Sequence, residues 1–283
     1  MRLANVEGRA SIIVGDRVLD VETASGGELS SDPMVLCDLD RHALLAGLAD
    51  AAVPADLPVV DQRALRAPVP RPSKVPGVAL NYRSHAEETG SPVPDEPHFF
   101  AKYPSCITGP CDDIVVPAGR SMVDYEAEIV VAVGRRCSRL DPDEVWDHLA
   151  GVTCGQDVSD REEQFRPPVN QFTVAKSYDT FGPIGPVLVT VDELADRDHI
   201  GIVGRVDGQE VQRSTSDDLV FSIPELMAWL SRFVTLEVGD LVFTGTPAGV
   251  GQAQEPPLFL RDGMTVETEI PGIGTMHNRC ITP

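Results

Sequence analysis

The segment VDYEAEIVVAVG, residues 123–134, constrains this chain more than any other. In an extended strand side chains alternate with period two, so Asp124, Glu126 and Glu128 share one face while Tyr125, Ala127 and Ile129 take the other. Three carboxylates on one face repel one another unless they are protonated, solvated or neutralised by a cation. An edge strand wetted along its polar face is one solution. The continuation IVVAVG reads instead as buried, which favours a cation. A hard divalent ion such as Mg²⁺ or Mn²⁺ takes oxygen ligands and keeps positions for water or substrate. Two glutamates would supply two of those oxygens. A third could come from GVTCGQDVSDREEQ (151–164), where Asp157 and Asp160 sit among turn formers and Arg161 offers a carboxylate a bidentate fork. An aspartate there serves an Asx turn or a salt bridge equally well. No histidine lies in the cluster, so soft-metal chemistry is not indicated.

Around this segment the chain reads as strand-rich. DIVVP (113–117), GPVLVT (185–190), GIVGRVDG (201–208), DLVFTG (240–245) and TVETEI (265–270) are short strand candidates between turns, and SIIVG with DRVLDVE suggests amino-terminal hairpins. Helical signals are fewer: ALLAGLA (43–49), DPDEVWDHLAGV (141–152) and IPELMAWLSRFV (223–234). With 24 glycines and 24 prolines, this predicts a mixed, β-rich α+β fold rather than regular βαβ repeats. Four prolines in DQRALRAPVPRPSKVPG (61–77) predict an extended connector, dividing a small β-containing domain and connector, 1–70, from a larger domain, 71–283. A formal net charge of -21 repels phosphate backbones and anionic lipid, so neither nucleic acid nor a membrane is an expected partner. The six cysteines form no CxxC or zinc-finger spacing and read as reduced thiols of a cytoplasmic protein. Neither an export signal nor a run of eighteen apolar residues is apparent.

ALNYRSHAEETG, FFAKYPSCITGP, VDYEAEIVVAVG, QDVSDREEQ, AKSYDTFGPIGP and LVFTGTPAGVG, followed by FLRDGMTVETEIPGIGTMHN, occur in an order that resembles the fumarylacetoacetate hydrolase family from about residue 75 to residue 278. Gln156 stands where members usually carry Asn, and Tyr178 where Phe is more usual. The resemblance implies a fumarylacetoacetase-like β-roll catalytic domain, a homodimer, and Mg²⁺ or Mn²⁺ held by Glu126, Glu128 and Asp157. It also implies a catalytic set of His85, Glu88 and Lys176, with His85 and Glu88 on a short helix that orders over the ligand. Tyr82, Lys102, Arg161, Gln164 and Thr246 are the residues it places against substrate.

Elementary chemistry agrees with several of these roles. His85 and Glu88 are three apart, which in a helix puts them on one face, where a carboxylate can orient an imidazole that takes a proton from water near neutrality. Lys102 and Lys176 lie between apolar or small residues and would balance an excess of carboxylate charge or stabilise an oxyanion. Arg161 either does similar work or holds Asp157 in place. The resulting expectation is a metal-dependent C–C hydrolase of a 2,4-dioxo acid of acylpyruvate type. The same constellation suits oxaloacetate decarboxylation, or isomerisation or dehydration of a 2-oxo acid, and a non-catalytic binding protein is the remaining alternative.

Overall fold

The computed structural model describes residues 1–51 and 57–283. Ala127–Val133, the most apolar run of the opening segment, lies inside an eleven-stranded sheet, and each of its residues is buried. Its β-branched side chains suit a strand covered on both faces. Alternation divides them between two cores. Ile129, Val131 and Val133 pack with Trp146, Met227, Leu230 and Met276, whereas Val130 and Ala132 pack with Leu3, Ile12, Leu36 and Leu45.

On one side of this strand the sheet continues through Leu149–Gln156, Gly182–Val189, Arg2–Val6, Arg9–Val14 and Arg17–Asp20. On the other side it continues through Leu241–Phe243, Val75–Ala79 and His98–Lys102. A five-stranded sheet containing Gly201–Val206, Thr265–Ile270 and Gly274–Ile281 adds Ile202, Ile270 and Met276 to the first core. The longest helix among the described residues is Leu39–Asp50. The β-rich α+β class expected from the sequence is the one observed, and among the described residues no helix is long and apolar enough to cross a membrane.

The amino-terminal hairpins form and, because Arg2 and Leu3 pair with Val189 and Leu188, extend the large sheet. Two local expectations change. DPDEVWDHLAGV is not one helix. Pro142 and the Asp141–Glu144 capping box start a 3₁₀ turn, Pro142–His148, and LAGV then enters the strand Leu149–Gln156, whose residues are all buried. Burial on both faces of that strand outweighs local helix preference. Finally, residues 123–134 are not one strand. Val123–Asp124 pairs with Ser159–Asp160 in a separate ladder, and the central strand begins only at Ala127.

Candidate active site

Antiparallel pairing builds the acidic cluster. Ala127 lies opposite Gln156 and Glu128 opposite Gly155, so Glu126 and Asp157, one residue beyond the ladder, face each other and share an Asp157 N–H to Glu126 carbonyl bond of 2.9 Å. Gln156 fixes this end of the ladder by accepting the Glu126 N–H at 2.9 Å and donating to Thr268 Oγ1 at 2.8 Å. Gly155 is required, since a Cβ there would lie 2.4 Å from Val130 Cγ2 and 2.9 Å from the Phe243 ring. One oxygen from each of Glu126, Glu128 and Asp157 falls within 4.8 Å of the others. All three residues are buried.

The neighbouring cations are distributed unevenly over these carboxylates. Lys176 Nζ donates at 2.7 Å to Glu126 Oε2, Asp157 Oδ2 and Ser159 Oγ. Lys102 Nζ donates to Asp157 Oδ1 at 2.6 Å, to the Phe181 carbonyl at 3.2 Å and to the Lys176 carbonyl. Arg161 bridges Glu126 Oε1 at 2.7 Å and Asp124 Oδ2 at 2.8 Å. Burial pushes the Glu126 carboxyl up, but Lys176 and Arg161 outweigh it and hold it at about 2. Among the described residues Glu128 receives only the Gly245 N–H, at 2.7 Å. Burial, and then the charges of Asp157 and Glu126, drive its carboxyl well above the usual range. Four buried carboxylates thus face three buried cations, and added positive charge would favour the ionised form of Glu128. A donor set made only of carboxylate oxygens fits Mg²⁺ or Mn²⁺ and does not suit a soft metal.

A cavity of about 490 Å³ opens beside the cluster, with His85, Glu126, Arg161, Gln164, Lys176 and Thr246 at its polar end. His85 lies on the helix Arg83–Thr89, which Gly90 ends in a left-handed C-cap at φ 63°. Ser84 bonds to Asp218, and Arg83 to the Leu219 carbonyl, which tie this helix to the segment after the strand Gln209–Thr215. Glu88 Oε2 lies 3.1 Å from His85 Nδ1, while its Oε1 accepts the Gly249 N–H at 2.7 Å. Nε2 is therefore the nitrogen left for chemistry. Thr246 Oγ1 donates to the Ala127 carbonyl and accepts from Gln212 Nε2, so its hydroxyl is committed. Among the described residues no acceptor is bonded to its amide.

Two residues expected against substrate are elsewhere. Tyr82 is fully buried in the first core, outside the cavity wall, with a hydroxyl that has no partner among the described residues. Lys102 is also absent from the wall, because its ammonium is enclosed between Asp157 and two backbone carbonyls. Arg161 holds Glu126 and Asp124 rather than Asp157. Asp124, expected on one face with the glutamates, turns away to anchor Arg161 and the Gly251 and Gln252 amides, at 2.7 and 3.1 Å. Sequence reasoning found the charge of Asp124 but not its partners, and it missed Ser159 and the Gly249 amide, which carry no motif of their own. Asp124→Asn should leave the fold intact and release one side of Arg161. We expect Mn²⁺ affinity to fall by about 10–100-fold, as for other groups that orient metal ligands, and calorimetric titration measures it. An unchanged affinity would show that Glu126 needs no such support.

Residues 74–281 match the family model for the fumarylacetoacetate (FAA) hydrolase C-terminal region. Human oxaloacetate tautomerase FAHD2A, mitochondrial, is 38% identical over 291 residues, covering 99% of this chain and 92% of that protein. Among solved structures, an HpcE-type protein from Mycobacterium smegmatis is 41% identical with a TM-score of 0.92, covering 100% of this chain and 99% of the other. Maleylpyruvate hydrolase from Sphingobium sp. SYK-6, solved with manganese (II) ion and pyruvate, is 29% identical with a TM-score of 0.82 and the same coverage.

Proposed function

Because the chain belongs to the fumarylacetoacetate hydrolase family, whose relatives include tautomerases, isomerases and hydrolases, we propose that it is a divalent-metal-dependent enzyme hydrolysing the C–C bond of an acylpyruvate-type 2,4-dioxo acid. The observation that carries this reading is the His85–Glu88 pair beside an all-oxygen triad, with His85 and Glu126 both lining a cavity of about 490 Å³. Cavities of roughly 300–1,000 Å³ hold ligands of drug size, so a four-carbon acid would leave much of this one unfilled. Glu126, Glu128 and Asp157 would hold Mg²⁺ or Mn²⁺, which supplies charge that polarises a 2-oxo group. Thr246 presents its amide to the substrate carboxylate. His85, oriented by Glu88, takes a proton from water as the water oxygen bonds to C4. The C3–C4 bond then breaks, its electron pair becoming the enolate of pyruvate and the acyl carbon leaving as a carboxylic acid. Lys176 faces the developing enolate charge, and a proton delivered to C3 completes pyruvate.

The extent of identity to the human oxaloacetate tautomerase supports a second reading, in which His85 moves a proton between C3 and the 2-oxygen of a 2-oxo acid and no water adds. The Mn²⁺-loaded protein should release pyruvate stoichiometrically from an acylpyruvate. Accelerated decay of enol-oxaloacetate absorbance, with no pyruvate from any acylpyruvate, would replace hydrolysis with tautomerisation.

A further inference from the structure

The charges along the cavity separate its two ends. Arg161 and Lys176 are the only arginine and lysine in the wall among the described residues, and both are bound to site carboxylates at the polar end. His85 is bound to Glu88, and His98 is exposed at the rim. Besides the neutral polar residues Thr89, Ser91 and Gln252, the rest of the wall is aromatic and aliphatic, and it is specifically built. A Cβ at Gly77 would lie 2.5 Å from the Phe100 ring, so only glycine there lets the ring lie across the strand Val75–Ala79. Phe100 has Phe172 at 5.7 Å between ring centroids and lies 5.2 Å from Lys176 Nζ, so the apolar wall begins beside the reactive end. Phe99 is backed by Trp229, stacked at 5.6 Å and 19°. Leu80 holds a left-handed φ of 55°, rare for a bulky residue, while lining the cavity. Strained backbone persists where surrounding structure over-determines it, and here Asn81 bonds the Thr244 carbonyl and both the amide and carbonyl of Phe221.

We infer that the far end of the substrate is a neutral, apolar group, an aryl or branched alkyl acyl tail, and not a second carboxylate. This rests on the proposed 2-oxo acid head. A second carboxylate would leave water for a wall that offers it no uncommitted arginine or lysine, and an unpaired buried charge costs several kcal/mol in real proteins. An aryl tail meets Phe100, Phe172, Phe99 and Leu80 instead, gaining apolar burial and ring contacts.

Two unreactive acids with the same head and different tails test this without catalysis: 2-oxo-4-phenylbutanoate and 2-oxoglutarate. Their dissociation constants are measured by calorimetry on the Mn²⁺-loaded protein at about 0.15 M salt, where long-range repulsion from the acidic surface is screened. The phenyl acid should bind at least about tenfold tighter, a difference of about 1.4 kcal/mol. Phe172→Arg, at a half-buried position on the cavity mouth, should narrow or reverse that ratio. Equal or tighter binding of 2-oxoglutarate by the unmodified protein, or binding of neither acid, overturns the inference. If the phenyl acid is preferred but no acylpyruvate is cleaved, the inference stands and the hydrolytic reading fails. If acylpyruvates are cleaved but the diacid binds better, the reverse holds.

Discussion

Glu128→Ala is expected to abolish turnover and to weaken Mn²⁺ binding by more than the roughly 10–100-fold that loss of a ligand's hydrogen-bond partner costs. Glu126 and Asp157 each have both oxygens bound by Lys176, Lys102 or Arg161, whereas Glu128 has one backbone amide. Glu128 therefore contributes the least compensated charge to an incoming cation. The same imbalance opposes folding when the cation is removed. A carboxyl held above the ordinary glutamate value of about 4.3 favours the folded state while protonated, and that contribution is lost as pH rises through the folded-state value. With a chelator present at neutral pH, Glu128→Gln should accordingly be at least as heat-stable as the parent protein, while Mn²⁺ should raise the melting temperature of the parent alone. Calorimetric titration and thermal denaturation measure both effects. Full Mn²⁺ affinity in Glu128→Ala would remove this residue from the ligand set.

His85→Ala should lower kcat for an acylpyruvate by about 10²-fold or more, the usual scale of a general base. Binding of an unreactive 2-oxo acid should change little, because the head is held by the acidic cluster rather than by the imidazole. Glu88→Gln should fall between the parent and His85→Ala. It keeps an acceptor for the Gly249 amide but loses the charge that favours the imidazolium. Cleavage by His85→Ala at nearly the parent rate would make His85 a structural residue of the Arg83–Thr89 helix.

Sequence made the acidic cluster legible because carboxylates spaced by two before a buried strand are rare and costly. Glu126, Glu128 and Asp157 do converge, through a ladder register that local sequence does not specify. Asp124 shows the limit of period-two reasoning. The pattern continued through it, but the backbone leaves the central strand before Ala127, drawn aside by the amides of Gly251 and Gln252 and by Arg161. Tyr82 and Lys102 lie close in sequence to site residues yet point into the interior. The aromatic wall was the least visible part. Gly77, Phe100 and Phe172 come from three separate stretches, and only tertiary contact shows that the missing side chain of one makes space for the ring of another.

The stacking of Phe99 on Trp229 gives the cavity a spectroscopic handle. The chain has two tryptophans, and the other, Trp146, is buried beneath Arg197 and does not line the cavity. Among the described residues Phe99 both lines the cavity and stacks on Trp229, so a tail that presses on it should shift the environment of Trp229. Intrinsic fluorescence of Trp146→Phe consequently reports occupancy of the apolar end directly, in real time and without a labelled ligand.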